Sequence, residues 1–187
     1  SVYYSHPEWM VKRWVDRLGY DSTEAMLVIN NKPKDISIRI NSLKTNPEKI
    51  EVEFLSQKIK FERSNFSDVH LSIKNFGELN SLDLLKNGSV YVQDISAGLS
   101  VMLLDPHEGE RVIDMCAAPG GKTTFIAEKM KNTGEIIAVD IFEMRLKTVE
   151  ENFRRLGISN IKTLAYDART LSIEPADRVL VDAPCSG

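Results

Sequence analysis

The chain has 187 residues, of which 42% are hydrophobic, so it can bury the core of one domain or of two small ones. Its formal net charge of −3 excludes a strongly basic surface that would hold RNA through phosphate contacts alone. The apolar stretches are too short for a transmembrane helix, and two cysteines do not make a disulfide framework. We therefore expect a protein of the reducing cytoplasm that does not contact membranes.

The first thirty residues predict two helices. Residues 7–18 carry apolar side chains at helical spacing, with Leu18 on the apolar stripe, and Gly19 is a typical helix stop. The sequence DSTE at residues 21–24 has the form of a capping box. We expect it to start a second helix that closes near Pro33.

Alternating short strands and helices follow. Strict alternation at Ile36, Ile38 and Ile40 predicts a strand, and Asn46 with Pro47 predicts the start of a helix. Three more strands are predicted at residues 59–61, 69–73 and 90–92, with a helix at 82–85 before the last of them. The resulting order, βαββαβ, is that of ferredoxin-like folds, which include RNA-recognition modules.

These elements predict a small α+β domain over residues 1–93. The aromatic signature of RNA-recognition modules is absent, so we expect Phe61, Phe66 and Phe76 to lie in the core and not to stack on bases. Asp94 is expected to cap a connecting helix at residues 95–104. Residues 94–187 would then form a second domain.

The second domain opens with the sequence DMCAAPGGKTT at residues 114–124. An apolar run precedes it and a helical pattern follows it, which predicts a strand, a tight turn and a helix. Pro119 and the two glycines would let the backbone approach a ligand, and the N–H groups at the helix start suit a polar or anionic group. We interpret this segment as a ligand-binding turn.

Two phosphate-binding motifs can be excluded. A Walker A loop needs a glycine where this chain has Cys116, and no G-x-G-x-x-G spacing of a dinucleotide site occurs in the segment. S-adenosylmethionine remains as the cofactor, because it carries no phosphate and needs an acidic residue for its ribose hydroxyls. Asp140 ends the next predicted strand, where such an acid is expected.

Four predicted strands end at an aspartate, namely Asp114, Asp140, Asp167 and Asp182. In an open parallel sheet the ligand crevice lies at the carboxyl ends of the strands, so this recurrence favours a nucleoside-binding sheet. The alternative is that each aspartate only caps a helix or starts a turn. We expect that simpler role for Asp114 and a functional role for Asp140 and Asp167.

The sequences CAAPGGKTT and VDAPCSG together resemble the Sun family of RNA 5-methylcytosine methyltransferases, whose bacterial members modify ribosomal RNA. The resemblance runs from YSHPEW, which starts at residue 4, to Gly187, and includes YVQDIS at residues 91–96. It implies an incomplete Rossmann-like class I methyltransferase core of about four parallel strands, preceded by a small ferredoxin-like or RRM-like α+β domain. It also implies methyl transfer from S-adenosylmethionine to carbon 5 of cytosine in RNA.

The resemblance assigns roles to particular residues. Asp140 would bind the ribose and Asp167 the adenine, while Asp182 would line both the cofactor and the target base and hydrogen-bond the cytosine. Cys185 would assist release of the enzyme from its product. The cofactor turn would consist of Cys116, Ala117, Ala118, Pro119, Gly120, Gly121 and Lys122.

The cysteine that attacks carbon 6 belongs to a later family motif, which this sequence does not contain. Cys116 is expected to be structural or to line the cofactor. No initiator methionine precedes Ser1, and the sequence stops at Gly187 within a catalytic loop. We therefore expect a fragment that keeps the cofactor motifs and does not turn over RNA by itself.

Two alternative functions remain open. The chain could be a non-catalytic RNA-binding module, or a methyltransferase acting on another substrate. Metal binding finds no support, because His6, His70 and His107 are scattered without ligand spacing. The basic side chains that follow Asp140, starting with Arg145, are expected on a solvated helix face.

Overall fold

The computed structural model describes residues 2–32, 35–74 and 83–184, and the chain divides into two compact units at residues 34 and 35. The first unit contains helices α1 (Glu8–Leu18) and α2 (Tyr20–Asn30). The hydroxyl of Tyr4 donates to Glu24 Oε1 at 2.8 Å within this unit. Leu18 is 52% exposed, contrary to the expected apolar stripe, because it occupies the last position of its helix.

The predicted capping box is wrong. Helix α2 begins at Tyr20, directly after Gly19, whose positive φ of 80° lets the chain turn from one helix into the next. Thr23 lies within α2. Its side chain is buried, and its hydroxyl donates to the Gly19 carbonyl at 2.8 Å.

The second unit begins with an antiparallel sheet and its helices. Their bounds are β1 (Ile36–Ile40), α3 (Pro47–Ser56), β2 (Phe61–Arg63), β3 (His70–Ile73), α4 (Asp83–Lys86) and β4 (Val90–Val92). The strand order is β2-β3-β1-β4, which is the ferredoxin-like arrangement predicted from the sequence. Strand β2 starts later than expected because the Ile59 amide donates to the Phe54 carbonyl at 2.8 Å and so closes the end of α3.

One face of this sheet carries an apolar cluster. Ile38 and Ile40 pack with Phe54 of α3 in an apolar cluster, and Phe61 packs against its edge. Phe66 is 68% exposed, so its predicted place in the core is wrong; it belongs to the loop between β2 and β3, away from either sheet face. Phe76 lies outside the described residues.

The remaining elements build a parallel sheet with helices. Their bounds are α5 (Ile95–Leu104), β5 (Arg111–Asp114), α6 (Gly121–Lys129), β6 (Glu135–Asp140), α7 (Glu143–Leu156), β7 (Ile161–Ala165) and β8 (Arg178–Leu180). The strand order is β7-β6-β5-β8 and every pair is parallel, which confirms the Rossmann-like core of four strands. Asp94 caps α5 as predicted, since its carboxylate accepts from the Ser96 amide at 2.8 Å.

Both faces of the parallel sheet are apolar, because its strands are covered on both sides. Val112 and Ile136 face the cluster formed with Phe125 of α6, whereas Ile113 and Ile137 face the opposite side. Within the described ranges, no helix has the length and apolar character needed to cross a membrane. Both sheets belong to the second compact unit, and the division into domains at residues 93 and 94 stays a prediction.

Candidate functional site

The turn between β5 and α6 is held by hydrogen bonds to Asp114. Its buried carboxylate accepts from the Thr123 hydroxyl at 2.7 Å and from the Cys116 amide at 3.4 Å. Burial raises the pKa of Asp114 above its ordinary value. Because it joins the strand end to the first turn of α6, Asp114 has the structural place expected of it.

The two glycines of the turn are packed against protein. Gly120 has a φ of 102°, and a Cβ there would lie 3.2 Å from the Cα of Val149 in α7. A Cβ on Gly121 would lie 3.2 Å from Cε1 of Tyr91. The sequence interpretation attributed these glycines to ligand approach, but close packing of the turn on α7 and Tyr91 already requires them.

A cleft of about 780 Å³ opens at the carboxyl edge of the parallel sheet. Its walls are the turn after β5, the ends of β6, β7 and β8, and residues 91–94 at the start of α5. Most of the sequence-predicted site residues line it, namely Cys116, Ala117, Ala118, Pro119, Gly121, Lys122, Asp140, Asp167 and Asp182. Gly120 is buried within the turn and does not line the cleft, and Cys185 lies outside the described residues.

Three acids of the cleft each form an ion pair with a basic side chain. The ion pairs join Asp140 to Arg145 at 3.2 Å, Asp167 to Arg169 at 2.6 Å, and Asp182 to Lys122 at 2.5 Å. Arg145 is half-exposed, as expected for a solvated helix face, but it also pairs with an acid of the cleft, which was not expected. Its position five residues after a strand-end aspartate, in the first turn of the next helix, was the signal that the sequence offered.

The carboxylate of Asp140 is held in a fixed orientation. Its side chain is only 4% exposed, and Oδ1 accepts from the Phe142 amide at 3.1 Å. Asp167 is more accessible, but Arg169 donates to it from both side chain and backbone and lowers the pKa of Asp167 to about 2. Asp167 is therefore an ionised acceptor at neutral pH.

An apolar wall lies beside these acids. Ile141 and Tyr166 directly follow β6 and β7, line the cleft and are 53% and 45% exposed. Exposed apolar side chains next to fixed carboxylates suit a ligand with a flat apolar ring and polar edges. Sequence reasoning assigned neither residue to the site.

Cys116 has a free thiol that is partly buried in the cleft wall. Burial raises the pKa of Cys116, and the nearby carboxylates of Asp114, Asp140 and Asp182 raise it further. A nucleophilic cysteine needs the opposite surroundings, which stabilise the thiolate. The geometry therefore favours a lining role for Cys116.

A buried arginine beneath the cleft also escaped sequence reasoning. Arg39 of β1 is fully buried and forms an ion pair with Glu128 of α6 at 2.9 Å. It also donates to the Gly121 carbonyl at 2.7 Å and to Gln93 Oε1 at 2.6 Å. The signal in the sequence was a charged residue between Ile38 and Ile40.

Two family models match the chain. One is described as 16S rRNA methyltransferase RsmB/F and matches residues 101–187. The other is described as the ferredoxin-like domain of RsmF/B-like methyltransferases and matches residues 6–79. The first match contains the whole parallel sheet, and the second contains strands β1, β2 and β3 of the antiparallel sheet.

Individual proteins match over the whole chain. It is 36% identical to a probable ribosomal RNA small subunit methyltransferase B of Bacillus subtilis (strain 168), over 98% of the chain and 42% of that protein. It is 34% identical to the 28S rRNA (cytosine(4447)-C(5))-methyltransferase of Homo sapiens, over 100% of the chain and 24% of that protein. A crystal structure of a methyltransferase homolog from Pyrococcus horikoshii gives a TM-score of 0.83 at 28% identity, over 100% of the chain and 62% of that protein. The chain thus spans less than half the length of these two curated relatives.

Proposed function

The chain belongs to the RsmB/F family of 16S rRNA methyltransferases, and we propose that the protein containing it methylates carbon 5 of cytosine in RNA, with ribosomal RNA as the substrate. The observation that carries the proposal is the cleft in which the turn after β5 meets three strand-end carboxylates. The relatives are named as ribosomal RNA and cytosine-C5 methyltransferases, which supports the choice of substrate.

The residues of the cleft fit S-adenosylmethionine. Its volume of about 780 Å³ lies within the range of small-molecule sites. The oriented carboxylate of Asp140 would accept from the ribose hydroxyls, and the ionised Asp167 would accept from the adenine amino group. Ile141 supplies an apolar surface for the ring. When bound, S-adenosylmethionine supplies an activated methyl group on a sulfonium.

We propose that Asp182 contacts the RNA base. It is 54% exposed at the mouth of the cleft, while Lys122 holds one carboxylate oxygen from within the cofactor turn. The other oxygen would accept a hydrogen bond from the cytosine and so orient the ring. We propose that this pair connects the cofactor side of the cleft to the base side.

The reaction also needs a cysteine, because carbon 5 of cytosine becomes nucleophilic only after a thiolate adds to carbon 6. Cys116 is not proposed for this step, since its surroundings disfavour the thiolate. Cys185 keeps the role that the family resemblance implies, which is to assist product release. The 187-residue chain by itself is therefore expected to bind the cofactor without methylating RNA.

A purely RNA-binding role is disfavoured by the antiparallel sheet. RNA-recognition modules stack bases on the sheet face that their helices leave open. Here that face carries Arg39, His70 and Tyr91, all of which are buried, and Phe125 of α6 packs on the His70 ring. A cytoplasmic location is part of the proposal, because a free thiol lines the cleft.

The test uses the intact protein that contains this chain, unmethylated ribosomal RNA and S-adenosylmethionine with a labelled methyl group. We expect the label in 5-methylcytosine after digestion of the RNA and mass spectrometry of the nucleosides. The isolated 187-residue chain, assayed in parallel, should leave the RNA unlabelled. Label on another base, or on a cytosine atom other than carbon 5, would overturn the proposal.

A further inference from the structure

The guanidinium of Arg39 connects the two walls of the cleft from beneath. Nη1 donates both to the carbonyl of Gly121, in the cofactor turn, and to Oε1 of Gln93, in the wall that leads into α5. Gly121 and Gln93 both line the cleft, whereas Arg39 is fully buried and does not. The spacing between the two walls is thus set by one side chain of the antiparallel sheet.

The orientation of this guanidinium is fixed on every side. Nη2 donates to Glu128 Oε1 at 2.9 Å and to the Thr124 hydroxyl at 3.0 Å, and Nε donates to Glu128 Oε2 at 3.2 Å. The rings of Tyr91 and Phe125 lie 5.1 Å and 4.8 Å from its central carbon. A planar guanidinium held in this way fixes the positions of its hydrogen-bond partners more strictly than the ammonium of a lysine could.

The Gly121 carbonyl, which accepts from Arg39, belongs to the first peptide unit of α6. Because that unit is planar and trans, the Lys122 amide points away from the guanidinium, toward the start of the helix. The amides at a helix start are the donors that a polar ligand group uses. Arg39 therefore orients a donor of the cofactor turn without touching the ligand.

We propose that Arg39 is a positioning residue for the cofactor, so that the antiparallel sheet, through this one side chain, sets the affinity of the cleft for S-adenosylmethionine. The inference rests on the proposed function, because it assumes that S-adenosylmethionine is the ligand. It gives the antiparallel sheet a role in cofactor binding in addition to any contact with RNA.

The main test variant is the double substitution Arg39→Met with Glu128→Leu in the intact protein. Replacing both partners of a buried ion pair by apolar side chains of similar size leaves no unpaired buried charge, so the fold is expected to survive. The Gly121 carbonyl and Gln93 nevertheless lose their shared donor. A second variant, Arg39→Lys, keeps a cation for Glu128 but cannot also donate to both the Gly121 carbonyl and Gln93.

Asn41→Ala is the matched control. Asn41 directly follows β1, is fully buried, and donates to the carbonyls of Gly88 and Leu156. It therefore anchors the same strand to α7 and not to the cofactor turn. Its substitution should lower the free energy of unfolding without changing cofactor affinity.

Calorimetric titration with S-adenosylmethionine measures the affinity, at a temperature where circular dichroism shows every variant folded. We expect the double variant to bind about tenfold more weakly, because a hydrogen bond from a charged donor to the turn is lost, and Arg39→Lys to bind with intermediate affinity. Wild-type affinity in both variants, or an equal loss in Asn41→Ala, would overturn the inference. Absence of binding by the wild-type protein would instead overturn the proposed function.

Discussion

The ammonium of Lys122 lies 2.5 Å from Oδ2 of Asp182, so that an ion pair joins the first turn of α6 to the end of β8. Lys122 is 23% exposed and Asp182 54%, and ion pairs at such exposure contribute at most about 1 kcal/mol to stability. The fold therefore does not depend on this pair. Its place at the mouth of the cleft points to a role in binding or chemistry.

The first prediction concerns Asp182→Asn. The free energy of unfolding should change by less than about 1 kcal/mol. Methyl transfer by the intact protein should fall by about a hundredfold or more, as is usual when a positioned acid or base is lost. Urea unfolding and a labelled-methyl assay measure the two quantities. Near-wild-type transfer by this variant would contradict the role proposed for Asp182.

The second prediction separates Asp140 from the other acids of the sheet. Asp140→Asn removes the charge that faces Arg145, and we expect S-adenosylmethionine to bind about tenfold more weakly or worse, because hydrogen bonds to charged groups are the stronger ones. Asp177→Asn is the control, since Asp177 accepts from the Arg111 amide at the opposite edge of the same sheet. Equal losses in the two variants, measured by calorimetry, would show that the effect is not specific to the cleft.

The sequence predicted most of the fold because its strands and turns carry strong local signals. Ile36, Ile38 and Ile40 alternate with polar residues, and each parallel strand is a short apolar run that ends at or near an aspartate. The acids of the cleft were found for the same reason. A strand end is a local feature, and parallel strands bring their carboxyl ends to one edge.

What sequence reasoning missed depends on contacts between distant residues. Arg39 looks like a solvent-facing residue of an alternating strand, but α6 covers that face, and its partner Glu128 is far away in the chain. Arg145 and Arg169 were not recognised because ion pairing to the strand-end acids requires knowing which way the following helix or loop turns. Local patterns can single out such residues, but they do not identify the distant partners.

The third prediction concerns the reactivity of Cys116. Burial and the surrounding carboxylates raise its pKa above the ordinary value of 9.0. In a Cys185→Ser background, alkylation by iodoacetamide should therefore be slower at pH 7 than that of free N-acetylcysteine, and should accelerate only at alkaline pH. Fast alkylation at pH 7 would mark Cys116 as a thiolate and reopen it as a candidate nucleophile.

The fourth prediction concerns Gly120. An alanine there would adopt an unfavourable positive φ and would also press on the backbone of Val149. Gly109 is a matched control, because it too has a positive φ, 82°, but has open space around its Cα. Gly109→Ala should lower the free energy of unfolding by about 1 kcal/mol, the cost of the backbone conformation alone.

Gly120→Ala should cost that amount plus about 1–3 kcal/mol for overpacking of the turn on α7. Urea unfolding of both variants gives the difference directly. Equal losses in the two variants would show that Gly120 is needed only for its backbone conformation and not for the close contact with Val149.

The last prediction follows from the buried imidazole of His70. Its Nδ1 lies 2.8 Å from the Ser67 hydroxyl, and its ring packs edge-on against Phe125. Burial and the positive charge of Arg39 lower the pKa of His70 to about 4, against smaller opposing effects of Gln93 and of the Asp94 carboxylate. Because this pKa lies below the ordinary value of 6.5, protonation favours the unfolded chain.

The contribution of His70 to stability is therefore complete above pH 6.5 and is lost progressively as the pH falls toward 4. The total loss corresponds to a free energy of unfolding on the order of 3 kcal/mol. Urea unfolding between pH 7 and pH 4 should show a shallower pH dependence for His70→Asn than for the wild type. An unchanged slope in His70→Asn would mean that His70 is not kept neutral by its surroundings.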